Sequence, residues 1–278
     1  MGHPKVGVGP QPGATAGWCV DFHVSKWYLD CVTETGDAAI LYWASVRWGL
    51  LRLNYGAALV SLGDDPANQR CTLKPQTTPE HRTDGTVSWQ CSRLDVDARW
   101  TSCADGVERT LLDDPRGYIR WNCLLPRADA SVRVGQHTLQ GRGYVECLTM
   151  SVKPWQLPLD ELRWGRFISH SDSLVWISWR GSVPRTWVFA NGTELNGATV
   201  RSLDVRSADG AHNLTIEAGR VLRSGRLCAT ALRPISWIAS VMPRWRAACE
   251  TKWVARALVT SPSGSNHGWV VHEVVQCP

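Results

Sequence analysis

No stretch of this 278-residue sequence approaches the ~18 consecutive apolar residues of a membrane-spanning helix. The ten cysteines form no C-x-x-C pair, which argues against a zinc site or a thioredoxin-like redox motif. Spread out as they are, they read as small hydrophobes of a reducing compartment, largely buried. The sequence also lacks G-x-G-x-x-G, the P-loop, G-x-S-x-G and H-E-x-x-H. Dinucleotide, nucleotide, serine-hydrolase and zinc-protease chemistry therefore have no motif to rest on, and no cofactor and no metal are expected. One-signed charge clusters are missing too. The 30 Lys and Arg residues are interleaved with 25 acids for a net charge of +5, which gives neither a nucleic-acid surface nor a polybasic membrane patch. Residues 1–16 are rich in Gly and Pro, with no apolar run behind a basic start. They are expected to be a flexible segment rather than a signal peptide, and the protein to be cytoplasmic. Peripheral contact with a membrane stays open.

Phenylalanine is scarce at three residues, whereas tryptophan reaches 16. An indole is large and its N–H needs a partner. A set of this size suggests a cavity walled by several rings, although core packing accounts for any one of them. Along the chain, period-2 alternation dominates and helical periodicity is scarce. Lys26–Cys31 and Ile40–Trp48 read as a hairpin about Thr35-Gly36-Asp37, followed by a strand from Leu51 to Leu62. Residues 64–84 read as a loop, and strands follow at 86–94, 97–103, 107–112 and 118–124. A second series runs from Gly143 through Leu162–Ser169, Leu174–Trp179, Thr186–Ala190, Val200–Val205, Asn213–Ala218, Arg220–Leu232 and Trp245–Val259 to Gly268–Val275. One short helix is expected near Pro158–Leu162. Strands at this spacing predict an all-β sandwich or barrel. The divisions are 1–16, an N-terminal β domain over 17–138 and a C-terminal β domain over 139–278.

Three short stretches carry a family resemblance: Trp27-Tyr28-Leu29-Asp30, Gly141-Arg142-Gly143-Tyr144-Val145-Glu146 and Trp164-Gly165-Arg166. In this order the chain resembles the carotenoid 1,2-hydratase (hydroxyneurosporene synthase) superfamily, which includes AttH-like proteins. Lipocalin-like Diels–Alderases and tocopherol cyclase are similar in architecture. The resemblance implies two tandem lipocalin-like β halves with a ligand pocket at or near their interface and no cofactor. It also implies an activity that hydrates, cyclises or pericyclically closes an apolar polyene, terpenoid or polyketide-like molecule.

Alternation adds candidate residues. Tyr144 and Glu146 share one strand face. A carboxyl buried among apolar groups has a raised pKa and can serve as a general acid. The bland alternative is a surface Glu paired with Arg142 or Arg166. Asp30, on one face with Tyr28, is a second candidate acid, and His272 is either a core histidine or a general base. Arg166 is read as a holder of a substrate carbonyl or carboxylate, or as an ion-pair partner of Glu146. Trp43, Trp48, Trp164, Trp176 and Trp179 are candidate cavity walls, with Tyr28 beside them. His272 and Glu273 are adjacent on a strand, so they point to opposite faces and cannot share a metal. Two function classes remain: a cofactor-independent lyase or isomerase, and a non-catalytic carrier of a lipophilic ligand.

Overall fold

The computed structural model describes residues 22–236 and 246–277. Within them the chain is all-β, in two curled sheets. The first holds β1 (Phe22–Val32), β2 (Ala38–Trp48), β3 (Leu51–Ser61), β4 (Asn68–Thr72), β5 (Glu80–His81), β6 (Thr86–Cys91), β7 (Val96–Ser102), β8 (Val107–Asp114), β9 (Gly117–Val134) and β10 (His137–Met150). The second holds β11 (Glu161–Ile168), β12 (Ser173–Arg180), β13 (Arg185–Ala190), β14 (Thr193–Glu194), β15 (Thr199–Val200), β16 (Asp204–Arg206), β17 (Asn213–Ile216), β18 (Arg220–Arg226), β19 (Cys249–Ser261) and β20 (Gly264–Gln276).

The first sheet runs β4-β3-β2-β1-β10-β9-β7-β6-β5, with β8 on β9. The second follows the same order ten strands later, with β18 on β19. The halves are therefore topological repeats, and their registers identify equivalent positions. Tyr28 lies opposite Glu146, and Val32 opposite Ala38, at the end of the β1–β2 hairpin. Trp164 lies opposite Glu273, and Ile168 opposite Ser173, at the end of the β11–β12 hairpin. Tyr28 thus matches Trp164, Asp30 matches Arg166, and Glu146 matches Glu273.

Both faces of the central strands are buried, one inside each curled sheet and the other where the two sheets meet. Leu29, Cys31, Leu41, Trp43 and Val145 pack inside the first half, and Phe167, Trp176, Val188 and Val270 inside the second. The alternate residues, among them Tyr28, Tyr42, Trp121, Tyr144, Trp164 and Val271, form a third core where the two sheets meet.

Several expectations are corrected. The chain leaves the first sheet only after Met150, so the boundary at 138/139 falls within the β9–β10 hairpin. The strand expected to end at 124 continues through Pro126 to Val134 as β9. Proline lacks an N–H, and the ladder absorbs it as register shifts opposite Gly143–Glu146 rather than as a break. Residues 64–84 contain β4 and β5, and β18 ends at Arg226. Pro158–Leu162 is no helix; the 3-10 turn lies at Pro154–Gln156, and β11 starts at Glu161. Trp245, the 1–16 segment and residues 17–21 lie outside the described residues. None of the nine described cysteines is disulfide-bonded; only Cys31, Cys91 and Cys123 are buried, and Cys71 is exposed. Among the described residues, no helix is long and apolar enough to cross a membrane.

Candidate active site

The junction core contains charged groups as well as rings. Its centre is the pair of equivalent residues Asp30 and Arg166. Nε and Nη2 of Arg166 donate to the two carboxylate oxygens at 2.9 and 2.8 Å, and both side chains are fully shielded from solvent. Nη1 donates to the Trp269 carbonyl at 2.9 Å, and Tyr28 Oη donates to Asp30 Oδ2 at 3.0 Å. Burial alone would lower the Arg166 pKa, but Asp30 outweighs it and the net shift is upward. Arg166 stays charged, and each of its three nitrogens donates one hydrogen bond within the protein. It ties β11 to β1 out of contact with solvent, and its carboxylate is Asp30 rather than Glu146.

Glu146 lies one strand away. Only 6% of it is exposed, and its Oε2 accepts three hydrogen bonds, from Trp121 Nε1 at 2.5 Å, Tyr144 Oη at 2.8 Å and Trp164 Nε1 at 3.1 Å. Trp164 reaches across from the second sheet, and its ring packs on Tyr28 at 4.6 Å between centroids. Burial holds the Glu146 carboxyl above the ordinary range. The Lys26 charge and the three donors oppose that rise without cancelling it. Burial likewise keeps the Tyr144 phenol protonated.

Local sequence explains the placement. Gly165 separates Trp164 from Arg166, and a Cβ there would overlap the Trp176 ring and meet His272 Cβ at 2.8 Å. Only glycine lets β11 sit this close while its two flanking side chains cross the junction. On β10 the register shifts against β9 bracket Tyr144–Glu146, the setting in which bulges re-aim side chains.

Glu273, the counterpart of Glu146, has the opposite character. Its neighbour on β19 is Lys252, with which it forms an ion pair. Burial raises its pKa, but Lys252 and then Lys26 outweigh that, leaving a carboxylate below the ordinary range. Lys252 Nζ also lies 5.3 Å from the centroids of both the Tyr28 and Trp164 rings. Arg223 pairs with Glu250 at 2.6 Å and lies over the Tyr42 ring.

Of the predicted residues, the fold brings together Tyr28, Asp30, Tyr144, Glu146, Trp164 and Arg166. Trp179 lies in the junction core against Trp187, and Trp48 lies at its half-buried edge with Phe22 and Trp155. Trp43 and Trp176 face the interiors of their own halves. His272 follows the alternation away from the junction and stacks on Trp253 at 4.8 Å. Its pKa falls to about 4 through burial first and the Lys252 charge second. Trp121, Trp164, Trp179 and Trp187 pack into the junction core. Two open grooves, of about 470 and 310 Å³, lie elsewhere, beside Arg142 and Trp269 and beside His81 and Asn122, with no predicted site residue in their walls.

Trp121, Lys26, Tyr42, Lys252, Glu273 and Arg223 were missed. Alternation places Lys26 on the face of Tyr28 and Asp30 and so could have found it. Trp121 depends on pairing across the Pro126 irregularity, which sequence does not reveal. Among the described residues, no group of three His, Cys, Asp or Glu side chains is arranged to hold a metal.

No protein-family model matches the chain, and no curated protein matches it. Solved structures do. CghA with Sch210972 matches at 12% identity and a TM-score of 0.58, over 92% of this chain and 88% of that one. An AttH-type protein from Nitrosomonas europaea matches at 10% identity and 0.52, over 96% and 98%. Kievitone hydratase from Nectria haematococca matches at 11% and 0.51, over 92% and 89%. At these identities the likeness is one of fold.

Proposed function

We propose that the chain is a cofactor-independent lyase or isomerase, a hydratase or cyclase, that protonates an alkene of an apolar polyene, terpenoid or polyketide-like substrate with Glu146. One observation carries this reading: a buried carboxyl with a raised pKa receives all three of its hydrogen bonds on one oxygen. Donors at Oε2 oppose protonation there, so the acidic proton belongs on Oε1. A carrier needs no such group, and the carrier reading expected Glu146 to be charged and exposed. The fold shared with kievitone hydratase, a protein named for a hydration, and with CghA supports the same direction.

In the proposed step Oε1–H breaks as a C–H bond forms at the alkene, leaving a carboxylate and a carbocation. Trp121, Tyr144 and Trp164 already donate to the oxygen that gains charge, so little reorganisation is needed. Water then adds and returns its proton to Glu146, which gives hydration. Alternatively a second alkene closes on the cation and an adjacent C–H gives up its proton, which gives cyclisation. Both courses conserve electrons and restore the acid. A positioned general acid supplies about 10²–10⁴-fold, and holding the substrate folded contributes up to ~7–11 kcal/mol to a ring closure.

The test is to capture bound lipophiles from extracts, identify them by mass spectrometry and incubate them with the protein. Wild type should convert one of them, with a gain of one water or with unchanged mass and altered retention. Glu146→Gln should bind it and leave it unconverted. Conversion by Glu146→Gln rules out the acid assignment, and recovery of every ligand unchanged from wild type favours the carrier.

A further inference from the structure

With Arg166 committed to Asp30, a different group has to recognise any polar end of the substrate. Beyond Glu146 the junction face continues along β1 and β2 through Lys26 and Tyr42. Tyr28 lies directly between Glu146 and Tyr42 in the cross-strand register, and Lys26 is the next residue on that face. Tyr42 is 92% buried by its 8% exposure, and its Oη has no hydrogen-bond partner. Buried hydroxyls are nearly always paired, and leaving one without a partner is costly. Its ring is fixed by Tyr28 at 5.4 Å, so the orphan is held in place.

The charges around Tyr42 are unequal. Lys26, Lys252 and Arg223 supply three cations. Glu273 takes Lys252 and Glu250 takes Arg223. Lys26, half-buried and 5.7 Å from the Tyr42 ring, has no ion pair among the described residues. Beyond this point the junction loosens into half-buried apolar groups, Val24, Val46, Trp48, Tyr55, Leu148 and Leu162.

We infer that Tyr42 Oη and Lys26 Nζ form a subsite for an anionic oxygen, a carboxylate or enolate, at one end of the lipophile whose alkene meets Glu146. This rests on the function proposed above and narrows its substrate from any apolar polyene, terpenoid or polyketide-like molecule to one with an anionic end. Burial raises the Tyr42 phenol pKa despite Arg223 beside it, so the hydroxyl keeps its proton and donates. An anion there also counters the Lys26 charge, which is the largest influence holding the Glu146 pKa down. Binding the oxygen therefore strengthens Glu146's hold on its proton.

The probe is cis-parinaric acid, a fluorescent conjugated tetraene carboxylate, titrated against its methyl ester. Wild type should bind the acid at least about tenfold more tightly, the scale of one charge-assisted hydrogen bond. Lys26→Met and Tyr42→Phe should each reduce that preference while leaving ester affinity unchanged, which also reports an intact fold. Equal binding of acid and ester by wild type, binding of neither, or an undiminished preference in Lys26→Met overturns the inference. Glu146→Gln should keep the preference. Because this readout needs no turnover, the subsite stands or falls separately from the acid assignment.

Discussion

Arg166 on β11 closes a two-pronged ion pair on Asp30 of β1, at 2.8 and 2.9 Å, joining topologically equivalent residues of the two sheets with no solvent contact. Removing one partner leaves a buried charge without compensation. Asp30→Asn should therefore cost about 3–5 kcal/mol of stability in urea unfolding. The double variant Asp30→Leu with Arg166→Met should recover most of that loss. A single-variant loss of only about 0–1 kcal/mol would mean that the pair behaves like a solvated surface bridge.

Hydrogen bonds from Trp121 and Trp164 lower the Glu146 pKa, and burial raises it by more. Trp164→Phe and Trp121→Phe should each move it further up, as should Lys26→Met. The carboxyl infrared band, titrated against a Glu146→Gln blank, reads this directly. A downward shift in any of the three would contradict the assigned causes. The linkage has a defined sign: a carboxyl with a raised folded pKa contributes stability below its unfolded value and loses it as pH rises through the folded one. Glu146→Gln should flatten that decline.

His272 titrates in the opposite sense. Burial, helped by Lys252, lowers its folded pKa from the ordinary 6.5 to about 4. It contributes stability above pH ~6.5, and that contribution drains away as pH falls toward 4. The full shift corresponds to about 3 kcal/mol. His272→Gln should remove this part of the acid sensitivity while leaving the Glu146 infrared titration in place. An unchanged pH–stability curve in the variant would show that the ring is solvated.

A methyl group at position 165 would run into the Trp176 ring and crowd His272. Gly165→Ala should destabilise by about 1–3 kcal/mol, the usual cost of overpacking. Trp176→Leu in the same chain should return part of it, with the coupling measured by a double-mutant cycle. Additive losses would place the strain elsewhere.

Alternation was enough to identify the all-β class and the shared faces of Tyr28 with Asp30, Tyr144 with Glu146, and Trp164 with Arg166. It could not say which face meets the other sheet, because these strands are apolar on both sides. That is why Trp43 and Trp176 were grouped with Trp164, although they point into their own halves. Nor could it pair Arg166 with Asp30, whose contact spans 136 residues of chain. Nor does alternation show that β9 runs on through Pro126; only its ladder with β10 does.

The repeat of the sheet order has a consequence for how acidity is written into the chain. Glu146 and Glu273 occupy equivalent places, yet the residue facing Glu146 from β9 is Cys123, whereas the residue facing Glu273 from β19 is Lys252. The thiol sets no charge beside its carboxyl, whose pKa burial raises, whereas the ammonium lowers the pKa of the other. Cys123→Lys should convert Glu146 into a second Glu273, visible as loss of its protonated infrared band; a band that persists would show that the facing position does not govern it. A single cross-strand neighbour would then separate a proton donor from a fixed anion, and the molecule carries both versions of the same place side by side.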